Sequence, residues 1–322
     1  MQVIFGLVWR RILQLIPVCI GVTLMAFLLL NVLPGGSAIA ILGTNATGGS
    51  IKALDNALGL NKPAYERYLL WLWHALHGNL GVSFITRQSV TSTIFARFPV
   101  SLELVVLSIL IALCTAIPAA VFSARRPGGI VDWITRAVGM FGLSTPGFVL
   151  ALYLLYVLSV RLGVLPVTGF TPLSVGLWAN LKTMLLPALS QSAILFGSYS
   201  RILRGDMIDQ LYSEDYVLTA RAKGLGSLRV LFVHVFKNSL FSLITIVGAQ
   251  LGTLIGGAAV IETLFGLPGV GQLLLISITD IDVPVVQGIV VIVALIVVVM
   301  NLVTDIAYML LDPRVKYGTA DT

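Results

Sequence analysis

The chain alternates long apolar runs with short polar breaks, and the lengths of the runs predict membrane-spanning helices. Arg10 and Arg11 precede an apolar run from Ile12 to about Val32, long enough to cross a bilayer as a helix, with Pro17 placed to kink its early turns. A signal peptide can begin this way, and Ala38-Ile39-Ala40 is like a cleavage site. The apolar stretch is nevertheless too long for a usual signal and reads as a retained first span. From Leu33 to Pro99 the pattern turns polar and mixed, interrupted at Pro34-Gly35-Gly36, Gly48-Gly49-Ser50 and Asn61-Lys62-Pro63. Within it, Ala64 to His77 has the spacing of an amphipathic helix, and its Tyr65, Tyr68, Trp71 and Trp73 suit a membrane interface. Apolar runs at Leu102 to Ala124, Trp133 to Val160, Met184 to Leu203, Leu240 to Ile261 and Val283 to Leu311 predict five further spans. The expected fold is an all-α polytopic membrane protein of six transmembrane helices. It divides into residues 1–33 (N-terminal segment and first span), 34–99 (an extracytoplasmic stretch) and 100–322 (a core of five helices).

The polar positions inside these runs are the informative ones. Ser144-Thr145-Pro146-Gly147 interrupts the third run; the backbone groups freed there need protein or water, so the break faces a bundle interior or pathway, or else is a packing kink. The fourth run carries Gln191, Ser192, Ser198, Tyr199 and Ser200, and one of its faces is expected inside the bundle. Gly248, Gly252 and Gly256, four apart in the fifth run, let another helix approach closely, within this chain or at a seam with a second subunit. Glu262 opens an expected outer loop that contains Pro268 and Gly269. Pro146, Gln191, Ser198 and Gln250 are the candidate pathway residues.

The longest charged island inside the core, Ser213 to Leu240, reads as two short helices joined by a turn. Ser213 is placed to N-cap the first, Glu214 and Asp215 favour its first turn, and Arg221 and Lys223 favour its last. Gly224 supplies a left-handed residue to end it, Gly226 loosens the turn and Ser227 is placed to cap the second helix.

Composition sharpens this picture. The 322 residues are 57% hydrophobic and only 11% charged, more apolar than any soluble core of this size needs. The net charge of +6 does not point to nucleic acid, because the basic residues gather at the ends of apolar runs. Arg10, Arg11, Arg125, Arg126, Arg136, Arg201, Arg204, Arg221, Lys223, Arg229, Lys237, Arg314 and Lys316 fall on one side, whereas the short loops opposite hold only Arg161 and Lys182, and the long loop, which the rule weighs lightly, holds Lys52, Lys62, Arg67, Arg87 and Arg97. By the positive-inside rule both termini and the island are cytoplasmic.

Cys19 and Cys114 both lie in apolar runs and imply neither a disulfide framework nor a metal cluster. His74 and His77 have no third ligand nearby, so interfacial packing explains them better than a metal. The chain has no G-x-x-x-x-G-K-[ST] phosphate loop and no H-E-x-x-H, which argues against an ATPase or an intramembrane protease. A proton-coupled carrier would be expected to show buried ionisable groups in mid-span and two related halves; Asp305, near the end of the last run, is the one candidate relay.

A family resemblance adds to these readings. Glu214-Asp215-Tyr216, then Thr219-Ala220-Arg221-Ala222-Lys223-Gly224-Leu225, His234 and Lys237-Asn238-Ser239-Leu240 resemble the cytoplasmic coupling loop of ATP-binding-cassette (ABC) importer permeases. Within them the chain is similar to the first permease subunit of dipeptide, oligopeptide and nickel importers. Leu218 stands where many importers carry Glu, and Lys237 where Pro is common. Leu58-Gly59-Leu60, Pro63, Gly78-Asn79-Leu80-Gly81, Ser83, Phe265, Gly271 and Asp312-Pro313-Arg314 are similar to further segments of that branch, with Asn79 in place of a more usual Asp and Gly36-Ser37 in place of Asp-Pro.

The resemblance implies a non-enzymatic permease in a bacterial or archaeal inner membrane, with no cofactor of its own. Its implied partners are a second homologous permease, two ATPase subunits that carry ATP and magnesium, and an extracytoplasmic substrate-binding protein. Glu214, Asp215, Tyr216, Thr219, Ala220, Arg221, Ala222, Lys223 and Gly224 would couple to the ATPase, and Glu262, Pro268 and Gly269 would lie near the extracellular gate. Peptides are the expected substrate, with nickel or glutathione as the alternative; few His, Cys and Met occur along the spans to handle a soft metal ion.

Overall fold

In hydrocarbon every backbone N–H and C=O must be satisfied within the protein, and helices do so locally. The computed structural model describes residues 13, 16–28, 47–49 and 62–311. Apart from one isolated bridge between Val82 and Ser89, the regular structure among them is helical. Arg10, Arg11, residues 34–37, Leu58-Gly59-Leu60 and Asp312-Pro313-Arg314 lie outside the described residues.

The helices are α1 (Ile16–Leu28), α2 (Ala64–Leu76), α3 (Val90–Arg125), α4 (Ile130–Ser144), α5 (Gly147–Arg161), α6 (Leu177–Ser213), α7 (Asp215–Ala222), α8 (Ser227–Gly257), α9 (Ala259–Phe265), α10 (Val270–Thr279) and α11 (Val283–Leu311). The chain forms two compact units: Met1–Ser101 with Pro268–Val299, and Leu102–Leu267 with Met300–Thr322. α3 and α11 each run from one unit into the other.

In the first unit, Leu80, Val90, Ile94, Val270, Leu273, Val285 and Ile289 form the core. Tyr68 of α2 packs edge-on against Phe27 of α1, and its hydroxyl lies 2.9 Å from Thr23 Oγ1. Trp73 stays exposed, and His77 packs on its ring with the centroids 4.4 Å apart. A buried Asp282 accepts from Ser83 Oγ and from the Phe84 amide at 3.1 Å, tying the 79–89 loop to the start of α11.

In the second unit α4 and α6 cross antiparallel on small residues. A Cβ on Gly142 would lie 2.5 Å from the Ala193 carbonyl oxygen, and one on Gly139 would lie 3.4 Å from Gly197 Cα. Such close backbone approach is how membrane helices gain contact where no hydrophobic force separates protein from lipid.

Several expected boundaries shift. The second span begins at Val90 rather than Leu102, because Val90 and Ile94 bury into the core and draw the preceding polar turns into the helix. The break at 144–147 is a bend of 108°, too sharp for a packing kink; Thr145 is extended and Pro146 restarts the chain as α5. The fifth span starts at Ser227, not Leu240, since its π-helical segment Val230–Phe236 buries Val230, Leu231 and Val235. Glu262 sits inside α9 rather than opening a loop.

Among the described residues three helices, Val90–Arg125, Ser227–Gly257 and Val283–Thr304, are long and apolar enough to cross a membrane, or up to five if each of two interrupted pairs counts once. α6, at 37 residues, is too polar to be counted by composition, and the described part of α1, Ile16–Leu28, is shorter than a full span.

Candidate functional site

The 213–240 island is one short helix poised between two long ones. α6 runs on to Ser213, so Ser213 ends that helix instead of capping the next. Glu214 takes extended geometry and its carbonyl accepts from the Val217 and Leu218 amides at 3.1 and 3.4 Å, starting α7. Asp215 in the first turn and Arg221 in the last complement the helix dipole.

The end of α7 is a Schellman motif. Leu225 N–H donates to Ala220 O at 3.2 Å and Gly224 N–H to Arg221 O at 2.9 Å, with Gly224 at φ +77°. Gly226 is extended and leads directly into α8, whose first residue is Ser227.

This helix is held by one face and offers the other. Val217 and Ala220 are buried. The Tyr216 hydroxyl donates to Gln210 Oε1 at 2.6 Å, and Gln210 Nε2 donates to Asp206 Oδ2 at 2.9 Å, fastening α7 to α6. Glu214, Asp215, Leu218, Thr219, Arg221, Ala222, Lys223 and Gly224 are exposed. Mixed charges around an exposed Leu218 suit contact with another protein rather than with a small ligand.

Nearby, in the same unit, lies a cluster that reasoning from the sequence missed. Asp132, in the first turn of α4 and 1% exposed, meets Arg204 through Nε at 2.5 Å and Nη2 at 3.0 Å. It also accepts from Ser123 Oγ at 2.5 Å and from the Gly128 amide at 2.8 Å, while Arg136 Nε stands 3.6 Å away. One carboxylate thereby joins the end of α3, the basic 125–129 turn, α4 and α6. An acid set among so many arginines was the available signal.

The candidate pathway residues divide. Ser198 and Gln250 come together, Gln250 Nε2 donating to Ser198 Oγ at 3.1 Å between α6 and α8. Gln191 is buried with Oε1 3.4 Å from Ser108 Oγ. Glu262 is buried within α9. Pro146 precedes α5, whereas Pro268 and Gly269 precede α10 and belong to the other unit. Gly248 is buried against Thr304 and Gly252 is buried too, but Gly256 is exposed.

Residues 116–317 match the family described as "Binding-protein-dependent transport system inner membrane component", and residues 4–105 match the N-terminal component of such systems. The chain is 36% identical over 312 residues to a putative peptide transport system permease protein of Brucella abortus, covering 97% of this chain and 99% of the relative. It is likewise 36% identical over 311 residues to the oligopeptide transport system permease protein AppB of Bacillus subtilis (96% and 98% covered). Against the dipeptide transport system permease protein DppB of Escherichia coli it is 33% identical over 332 residues (96% and 98%). A solved amino acid ABC transporter with histidines shares the fold at a TM-score of 0.50 and 14% identity, over 70% of this chain and 94% of that one.

The chain therefore belongs to the binding-protein-dependent transport system inner membrane components: it is a multi-pass permease of the ABC importers, not itself catalytic.

Proposed function

We propose that this permease imports peptides, forming the translocation pathway with a second homologous permease and coupling through α7 to two separate ATPase subunits. Relatives over nearly the full length are named for peptide, oligopeptide and dipeptide transport, and that supports the substrate class. An extracytoplasmic binding protein delivers the peptide, both termini are cytoplasmic, and ATP with magnesium is held on the ATPases.

The observation that carries the mechanism is α7 itself: a two-turn helix with one exposed face, fixed at its end by Gly224 and to α6 through Tyr216, Gln210 and Asp206. Closure of the ATPases displaces α7 as a rigid lever. Since α6 and α8 leave its two ends as long helices, the displacement passes into the membrane core and alternates access to the pathway. Ser198, Gln250, Gln191, Pro146, Glu262, Pro268 and Gly269 are the residues assigned to that pathway and its gate.

Gly224→Val tests the lever. A β-branched residue at φ +77° costs about 1–2 kcal/mol, enough to shift the helix end out of register. Labelled-peptide uptake by the complete transporter is expected to fall about tenfold, the change that ~1.4 kcal/mol produces, with the permease level in the membrane unchanged. Normal uptake by this variant would remove the lever role, and uptake of nickel but not peptide would reassign the substrate.

A further inference from the structure

The α4/α6 crossing leaves a cavity of about 340 Å³ that the transport mechanism does not use. Arg136, Arg201 and Arg204 line one end of it; Gly139, Leu143 and Gly197 line the other. The antiparallel register sets this arrangement: with Gly139 on Gly197, Arg136 falls opposite Arg201, and Asp132 falls opposite Arg204. At 1.5 Å per residue, Leu143 stands about 10 Å further along α4 than Arg136. The cavity thus has a basic mouth and an apolar floor.

The charges at the mouth do not cancel. Asp132 is buried and committed to Arg204, and Arg136 approaches it only at 3.6 Å. Arg201 is exposed, and its side chain has no hydrogen bond or ion pair among the described residues. Three guanidinium groups against one carboxylate leave two positive charges uncompensated. Asp206 and Asp209, further along α6, do not line the cavity, and Asp206 is engaged by Gln210.

The outer surface of α4 beside the floor is apolar: Trp133, Met140 and Phe141 are more than 60% exposed. A soluble anion would use the arginines and leave the floor empty, whereas a phospholipid fills both. Tryptophan at the level of the arginines matches the headgroup region, where Trp is enriched.

We infer that the α4/α6 cavity is a binding site for an anionic phospholipid, its phosphodiester held by Arg201 with Arg136 and Arg204 and an acyl chain laid along Gly139 and Leu143. Basic pockets between membrane helices on the cytoplasmic face are suited to such headgroups. The inference rests on the proposed cytoplasmic placement of this end of α4 and α6. Its readout is lipid retention, which is separate from peptide uptake.

The test is native mass spectrometry of the complete transporter, purified in detergent and exposed to equal amounts of phosphatidylglycerol and phosphatidylethanolamine. The wild type is expected to retain phosphatidylglycerol preferentially. Arg201→Gln is expected to lower that retention about fivefold, the effect of removing one basic group near a membrane surface, and Arg201→Lys to restore most of it. Lys182→Gln, whose ammonium lies 5.8 Å over the Trp178 ring near the start of α6, is expected to retain the lipid like the wild type.

Arg201 has no structural partner, so its loss leaves the fold intact and the comparison interpretable. Equal retention of the two lipids, or wild-type retention by Arg201→Gln, would overturn the site. Displacement of the lipid by excess inorganic phosphate would assign the arginines to a soluble anion instead, and coverage of this face by the second permease would appear as no retained lipid at all.

Discussion

Asp132 concentrates more structure than any other single side chain described here. Burying a carboxylate is costly, and it persists because Arg204, Ser123 and the Gly128 amide supply direct donors. Removing one partner of such a pair costs more than the pair contributes, because the other charge is left behind without compensation. Asp132→Ala is therefore expected to destabilise the permease by about 3 kcal/mol, and Asp132→Asn, which keeps part of the hydrogen bonding, by less. Thermal unfolding of the purified transporter measures it: a midpoint lowered by on the order of 5 °C for Asp132→Ala is expected, and an unchanged midpoint would show that the carboxylate is dispensable. The pairing with Arg204 was not legible in the chain, because the two residues are 72 positions apart and an ion pair at that separation leaves no periodic trace. Gly224 was legible, since the need for a left-handed residue after a charged helix end is a local property.

Single helices follow local chemistry until a neighbour overrides it. Ser213 and Ser227 have the right side chains to cap, yet neither caps, because Leu211 and Met207 bury and carry α6 on to Ser213, and Gly226 already provides the extended entry to α8. The glycine spacing in α8 was legible as close packing, but only the structure divides it: Gly248 meets Thr304, and Gly256 is exposed. A Cβ on Gly248 would lie 2.6 Å from Thr304 Cγ2, so Gly248→Ala overpacks the seam between α8 and α11 and is expected to cost about 1–3 kcal/mol. Thr304→Ala removes the offending γ atoms, so the double variant is expected to recover part of that loss, a coupling that thermal unfolding of the four proteins in a double-mutant cycle reads directly. Strictly additive losses would mean the two helices do not meet there. Gly256→Ala is expected to be neutral in the same assay, and a loss at that position would mark the exposed face as a contact with the second permease.

At the scale of the whole chain, composition and the spacing of apolar runs were enough to read an all-α membrane protein, but the number of spans was not. The structure bends one run by 108° at Thr145-Pro146 and makes α6 too polar to count by composition, so hydropathy and helix boundaries part company wherever a helix lines protein rather than lipid. Orientation rests on different physics, the bias of Lys and Arg toward the cytoplasmic side, and it is decided for the chain as a unit. The 79–89 loop and the start of α8 fall on opposite sides in this reading. With Cys19 and Cys114 replaced by Ala, a single Gln88→Cys or Ser227→Cys places one thiol at each, since both positions are exposed. A membrane-impermeant maleimide is expected to label Gln88→Cys in intact spheroplasts and Ser227→Cys only after the membrane is opened. The reverse order would turn the molecule over and put α7 out of reach of any cytoplasmic ATPase. Labelling of both in intact spheroplasts would place the two segments on one side and require an odd number of crossings to be dropped between them.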